Sequence, residues 1–184
     1  MPELPTFISI LRGINVSGSK LINMEALRGI YEGMGLKKVR TYIQSGNVVF
    51  QGARSSASSL ENRISGAIHE ATGFEVPVLV KSLEELEFTL EHNPFLKERK
   101  LDPSFLHVTF LKKLPESAQK EKISGDFGTD EFFFLGKDIY LFCPNGYGST
   151  KLTNNYFENK LKIQATTRNW RTLAELKRMA GELD

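Results

Sequence analysis

At 184 residues, with 40% apolar and 25% charged residues, the chain has ordinary globular composition and is long enough for one domain or two small ones. Its 24 basic and 22 acidic residues leave a net charge of +2, too little for the strong positive field of a dedicated nucleic-acid or membrane binder, so any polyanion site must be local. A lone cysteine, Cys143, excludes an internal disulfide, the first residues lack the regions of a signal peptide, and no apolar run approaches the roughly 20 residues that span a bilayer, so a cytoplasmic protein is expected.

Thr6 to Leu11 is strand-like and runs into a polar loop, Arg12-Gly13-Ile14-Asn15-Val16-Ser17-Gly18-Ser19-Lys20. Asn23 is placed to cap a helix in which Met24, Leu27, Ile30, Tyr31 and Met34 recur at helical spacing, and Gly35 ends it. Val39 to Gln44 and Val48 to Phe50 are two short β-rich runs joined by Ser45-Gly46-Asn47, a residue set suited to a tight hairpin. Ser58 and Glu61 have the spacing of a capping box for a helix with Leu60, Ile64, Ala67, Ile68 and Ala71 on one face and Gly73 after it. Val76 to Val80 closes the unit as a strand, giving the order βαββαβ, the ferredoxin-like split arrangement.

Ser82 and Glu85 cap a connecting helix through Leu83, Leu86 and Leu90, which stops before Asn93-Pro94-Phe95 because proline disfavours helix in the preceding residue. Leu96 to Pro103 reads as a linker. The order then recurs as strand Phe105 to Leu111, a weak helix after Pro115, strands Glu131 to Leu135 and Asp138 to Cys143, a helix near Asn154 to Leu161, and strand Gln164 to Thr167. Thr172 and Glu175 cap a last helix with Leu173, Leu176, Met179 and Leu183 on one face. The expectation is an α+β protein of two ferredoxin-like βαββαβ halves, a structural duplication. Its N-terminal half is residues 1–81, a connecting helix and linker occupy 82–103, and the C-terminal half with an extra helix is 104–184. Phe132 to Leu135 and Ile139 to Phe142 are apolar at every position, which predicts a second sheet covered on both faces rather than one left open to stack bases.

In a βαββαβ unit the loop after strand one and the hairpin after strand two share an edge. That places Arg12, Asn15 and Lys20 beside Gln44, Ser45 and Asn47. By the same topology the second half sets Gly146 to Lys151 near Thr166 to Arg171, bringing Lys151 towards Arg168 and Asn169. Arginine is a planar fork of donors, lysine a point charge, and the amides and hydroxyls orient by neutral hydrogen bonds, so each cluster suits an oxyanion. Neither loop is a Walker loop. The alternative is that the glycines only make turns while Arg12 and Arg168 pair with carboxylates, and both readings stay open.

Other chemistry is sparse. His69, His92 and His107 lack metal-ligand spacing, so no metal and no cofactor is expected. Cys143, in an apolar strand, reads as a buried structural thiol, and Trp170 as packing at an element's end.

Five motifs together resemble the bacterial family called domain of unknown function (DUF) 1697. They are Arg12 to Val16, Thr41 to Val48, Asn93-Pro94-Phe95, Lys151-Leu152-Thr153 and Thr167 to Thr172. The resemblance spans nearly the whole chain and implies a duplicated ferredoxin-like α+β protein with no assigned activity. The functional expectation is therefore a binder of a phosphate-bearing ligand: a nucleotide or other phosphorylated small molecule, or a nucleic-acid backbone segment, which the net charge does not favour. The rivals are a protein-interaction or self-association module and a transferase acting on a phosphorylated substrate. The latter lacks a nucleophile with a placed base. No membrane partner is expected, and the oligomeric state is not readable.

Overall fold

Every residue of Thr6–Leu11 (β1) is buried, and this strand sits inside the first of two sheets. The computed structural model describes residues 4–183, a mixed α+β fold with two four-stranded antiparallel sheets and six α-helices among the described residues. In the first sheet β1 lies between Asn47–Gln51 (β3) and Val78–Ser82 (β4), and Lys37–Tyr42 (β2) lines the far side of β3. Helices Met24–Gly33 (α1) and Ala57–Thr72 (α2) set Leu27, Tyr31, Leu60, Ile64 and Ile68 against Phe7, Leu11, Val48 and Phe50 to form one apolar core. The Tyr31 hydroxyl meets Ser9 Oγ at 2.7 Å inside that core, and burial raises its pKa well above the ordinary tyrosine value.

Asn23 caps α1 as expected, accepting from the Glu25 and Ala26 N–H groups, and Gly73 in the left-handed region ends α2. The cap of α2 is Ser56, not Ser58: Ser56 Oγ accepts from Ser59 N at 3.2 Å. Glu61 is drawn elsewhere. Its side chain is buried and Oε1 accepts from the β4 backbone at Val80 N, 3.0 Å away, so an internal N–H captures the carboxylate that the capping box would have used.

Leu83–Glu91 (α3) does open on a capping box, with Ser82 Oγ accepting from Glu85 N at 3.1 Å and Glu85 Oε2 accepting from Ser82 N at 2.9 Å. The second sheet has the order Glu131–Leu135 (β6), Asp138–Phe142 (β7), Leu106–Leu111 (β5), Ala165–Asn169 (β8). Helices Ser117–Lys120 (α4) and Asn154–Leu161 (α5) complete that part of the chain, with Phe157 and Leu161 packed in a core with Leu111, Ile139, Leu141 and Cys143. β5 is buried throughout, but β6 is an edge strand and Phe133 is 49% exposed, so the expected cover of this sheet stops short of its rim. The last helix, Trp170–Gly181 (α6), begins two residues before Thr172, because Asn169 Oδ1 accepts from Arg171 N at 2.9 Å and Glu175 is held by Arg178 at 2.7 Å. Trp170 is buried.

By contact density the chain forms two compact units, Thr89–Ala174 and the remainder, so the residues from Glu175 onward belong with the N-terminal unit. There the Leu183 carbonyl accepts from Lys38 Nζ and from Gln51 Nε2, and Glu182 pairs with Arg40 at 3.0 Å.

The cap assignment makes a measurable distinction. Ser56→Ala should cost about 1 kcal/mol and Ser58→Ala should stay within about 0.5 kcal/mol of wild type in urea unfolding. Glu61→Ala, which strips the acceptor from a buried N–H, should cost about 1–3 kcal/mol. A larger loss from Ser58 than from Ser56 would contradict the assignment.

Candidate functional site

The loop after β1 is held by one carboxamide. Asn15 Nδ2 donates to the carbonyls of Ile22 (2.9 Å) and Gln44 (2.8 Å), while Asn15 Oδ1 accepts from Ile22 N at 2.8 Å. The loop needs such a clamp, because Asn15, Ser17 and Lys20 all have positive φ, a region that costs non-glycine residues free energy. The loop meets the hairpin as the topology predicts: Leu11 N donates to Gly46 O at 2.8 Å. Gly46 is required there, since φ is +82° and a Cβ would stand 2.7 Å from Ile14 Cδ1 and 2.8 Å from Leu11 Cβ.

Among the candidate residues of this cluster, Asn47 is fully buried and donates to Tyr42 O and Ser45 Oγ, both at 3.0 Å. Lys20 Nζ donates to the Glu75 carbonyl. Gln44 contributes its backbone carbonyl and leaves its side chain exposed, and Arg12 is half-buried with its N–H on Pro77 O at 3.0 Å. The structure thus brings these residues together, with most of their hydrogen bonds directed into the fold. An open cleft of about 710 Å³ in the same unit, bordered by Phe7, Arg54, Ser82, Glu84 and Glu87, uses none of them.

In the second unit the candidates separate into two groups. Asn169 Nδ2 donates to Ser104 O at 3.1 Å and lies 3.3 Å from His107 Nε2, whose ring stacks on Tyr147 at 4.7 Å. Arg168, one residue back on β8, is half-buried and donates to the Thr167 carbonyl at 3.0 Å. Burial pushes its guanidinium down to about 10, with Tyr147 acting in the opposite direction. Lys151 belongs elsewhere. It borders a cavity of about 180 Å³ together with Asp126, Gly128, Thr129, Asp130, Asn145 and Ser149.

The lining of that cavity is ordered by its own hydrogen bonds. Lys151 Nζ donates to Asp126 O at 2.9 Å, Asp126 Oδ1 accepts from Gly128 N at 2.9 Å, and Thr150 Oγ1 donates to Asp130 Oδ2 at 2.6 Å. Asn145 Nδ2 donates to Thr129 Oγ1 at 3.1 Å. An ammonium has three donors, so the bond to Asp126 O leaves Lys151 with two to spare. The run Asp126-Phe127-Gly128-Thr129-Asp130 escaped the sequence reading because it belongs to no periodic element, although its glycine between two carboxylates was a visible signal.

Cys143, fully buried, has its thiol pushed up to about 11 by burial, which keeps it protonated and unreactive. Among the described residues no three His, Cys, Asp or Glu side chains converge in a metal-binding group, and no helix is long and apolar enough to cross a membrane.

Comparison with known proteins places the chain only at the level of family and fold. A family model described as "Protein of unknown function (DUF1697)" matches residues 4–140. The conserved bacterial protein SP0830 from Streptococcus pneumoniae is similar in structure, with a TM-score of 0.75 and 24% sequence identity over 97% of this chain and 99% of that one. No curated protein matches the chain in sequence.

Burial holds His107 below the usual histidine value of 6.5, so on acidification the unfolded chain takes up a proton that the folded chain refuses. Stability from this group is present above that value and falls as the pH drops below it. Urea unfolding at pH 7 and pH 5 should show a smaller acid loss for His107→Gln than for wild type; equal losses would contradict the burial effect.

Proposed function

The chain belongs to the DUF1697 family of proteins of unknown function, and from the cavity at Lys151 we propose that it binds a phosphate-bearing small molecule, a nucleotide or related sugar phosphate. The observation that carries the proposal is that a lysine from the glycine loop borders a small polar concavity. At about 180 Å³ it is smaller than the roughly 300–1,000 Å³ of pockets that engulf a whole ligand, so it takes one end of the molecule. Lys151 and Ser149 receive the phosphoryl oxygens. The carboxylate oxygens of Asp126 and Asp130 that remain accept from hydroxyl groups on the adjoining carbons, which is why a sugar phosphate suits the site better than a bare polyanion. Arg168 and Asn169 support the loop through Tyr147 and His107, and on this proposal the Arg12–Lys20 loop with Gln44, Ser45 and Asn47 is a preformed edge rather than the first contact with phosphate. A lone buried cysteine suits the cytoplasm.

We also infer that the two sheets descend from one duplicated ferredoxin-like unit. Supporting it, β1α1β2β3α2β4 and β5α4β6β7α5β8 share one order of elements, and the sheets share one spatial order of strands. Superposing residues 6–82 on 106–169 tests this; strands that fail to overlay in sequence order would refute it.

The ligand proposal is tested by thermal shift with ribose 5-phosphate, AMP and pyrophosphate. A true ligand at about 100 times its Kd stabilises by about 2.7 kcal/mol, which for a chain of this size is a rise of roughly 5–11 °C. Lys151→Met should abolish the rise while leaving the ligand-free Tm little changed, since an exposed cation contributes little to stability. No shift with any of the three probes, or an undiminished shift in Lys151→Met, would refute the site.

A further inference from the structure

Leu4 to Phe7, at the N-terminal end of β1, border the open cleft of about 710 Å³. Thr6 pairs in register with Gln51 at the end of β3, and Phe7 pairs with Ser82 at the end of β4. Beyond those pairs both neighbours leave the sheet. β3 runs through Gly52 into the segment that carries Arg54 and Ser55, while β4 passes directly into α3, whose first turn carries Glu84. The two segments therefore start from strand lines on opposite sides of β1, two inter-strand spacings or about 10 Å apart. The cleft falls within the roughly 300–1,000 Å³ of small-molecule sites, and all of its lining belongs to the unit that contains β1.

Two opposite charges line this cleft without a partner. Among the described residues neither the Arg54 nor the Glu84 side chain makes a hydrogen bond or ion pair, whereas Glu87, one turn further along α3, is paired with Lys177 at 3.8 Å. Exposed charges ordinarily need no partner. These two are set apart because they border one cleft from opposite sides of β1 and do not pair with each other, so a ligand with a single charge would answer only one of them. We propose that the cleft binds a short zwitterionic peptide, with its α-carboxylate on Arg54 and Ser55, its α-ammonium on Glu84, and an aliphatic side chain against Leu4, Pro5 and Leu83. The planar guanidinium fork matches a carboxylate bidentately, and the acceptor-only carboxylate of Glu84 suits an ammonium with three donors. At up to about 3.5 Å per residue, two or three residues bridge the opening. A free amino acid carries both charges on one carbon and reaches only one wall.

Amide chemical-shift titration of the isotope-labelled full chain with the peptide Ala-Leu-Ala, up to about 10 mM, reads this binding, since two solvent-screened ion pairs and one buried side chain correspond to a Kd of about 1 mM. Saturable shifts should gather at Ser55, Leu83 and Glu84 and be unaltered in Lys151→Met, which separates this cleft from the phosphate site. N-acetylation of the peptide removes its ammonium and C-terminal amidation its carboxylate, and each should raise Kd on the wild-type protein about fivefold or more. Glu84→Gln should then no longer distinguish the parent from the acetylated peptide, and Arg54→Gln should no longer distinguish it from the amide. Both side chains are exposed, so neither change should disturb folding, which unchanged shifts elsewhere in the spectrum verify. No saturable response at about 10 mM, ten times the expected Kd, would overturn the proposal. So would a response confined to the Lys151 loop, a blocked peptide that binds as tightly as the parent, or a variant that keeps the wild-type discrimination.

Discussion

Both faces of the two central strands are closed to solvent: all six residues of β1 and all six of β5 are buried. A polar side chain there gains from an internal partner, because an unsatisfied buried group costs about 1–3 kcal/mol. Ser9 meets the Tyr31 hydroxyl at 2.7 Å and Thr109 meets Thr167 at 2.7 Å, so neither is available to a ligand. The same closure removes the open aromatic platform on which a sheet would stack bases. What remains for chemistry is the ends of the strands and the rim of the second sheet.

The two glycine-containing clusters occupy different ends. The first sits at the C-terminal end of β1, where Leu11 N meets Gly46 O. The second lies towards the N-terminal end of β5, where His107 pairs in register with Asn169 and Leu106 with Phe142. They are therefore not two copies of one site, whatever the origin of the sheets. In the first, Asn15 and Asn47 spend their hydrogen bonds on turns and strand ends, which keeps a loop with several positive φ values in one conformation. In the second, Lys151 keeps donors in hand beside a cavity.

Much of this was legible in the sequence because local signals and tertiary demands agree. Asn23, the Ser82–Glu85 capping box and helix Asn154–Leu161 were readable from spacing alone. The reading failed at Glu61, where a tertiary partner, Val80 N, outbid the local cap, and at Thr172, where the neighbouring Asn169 took the helix start. Phe133 was misjudged because the apolar run Phe132 to Leu135 cannot reveal from its own residues that it lies at a sheet's edge. Within the candidate site, the meeting of the Asn15 loop with the 43–46 turn followed from topology. The split between Lys151 and the Arg168–Asn169 pair depended on Tyr147 and on the 126–130 loop, whose paths no periodicity encodes.

The central claim is that an oxyanion enters the cavity beside Lys151, and locating a heavy phosphate analogue there tests it most directly. Crystals soaked in tungstate and measured for anomalous scattering should show density within hydrogen-bond reach of Lys151 Nζ and Ser149, lost in Lys151→Met crystals. Density that persists in the variant, or that gathers only at Arg12 and Lys20, would contradict the account.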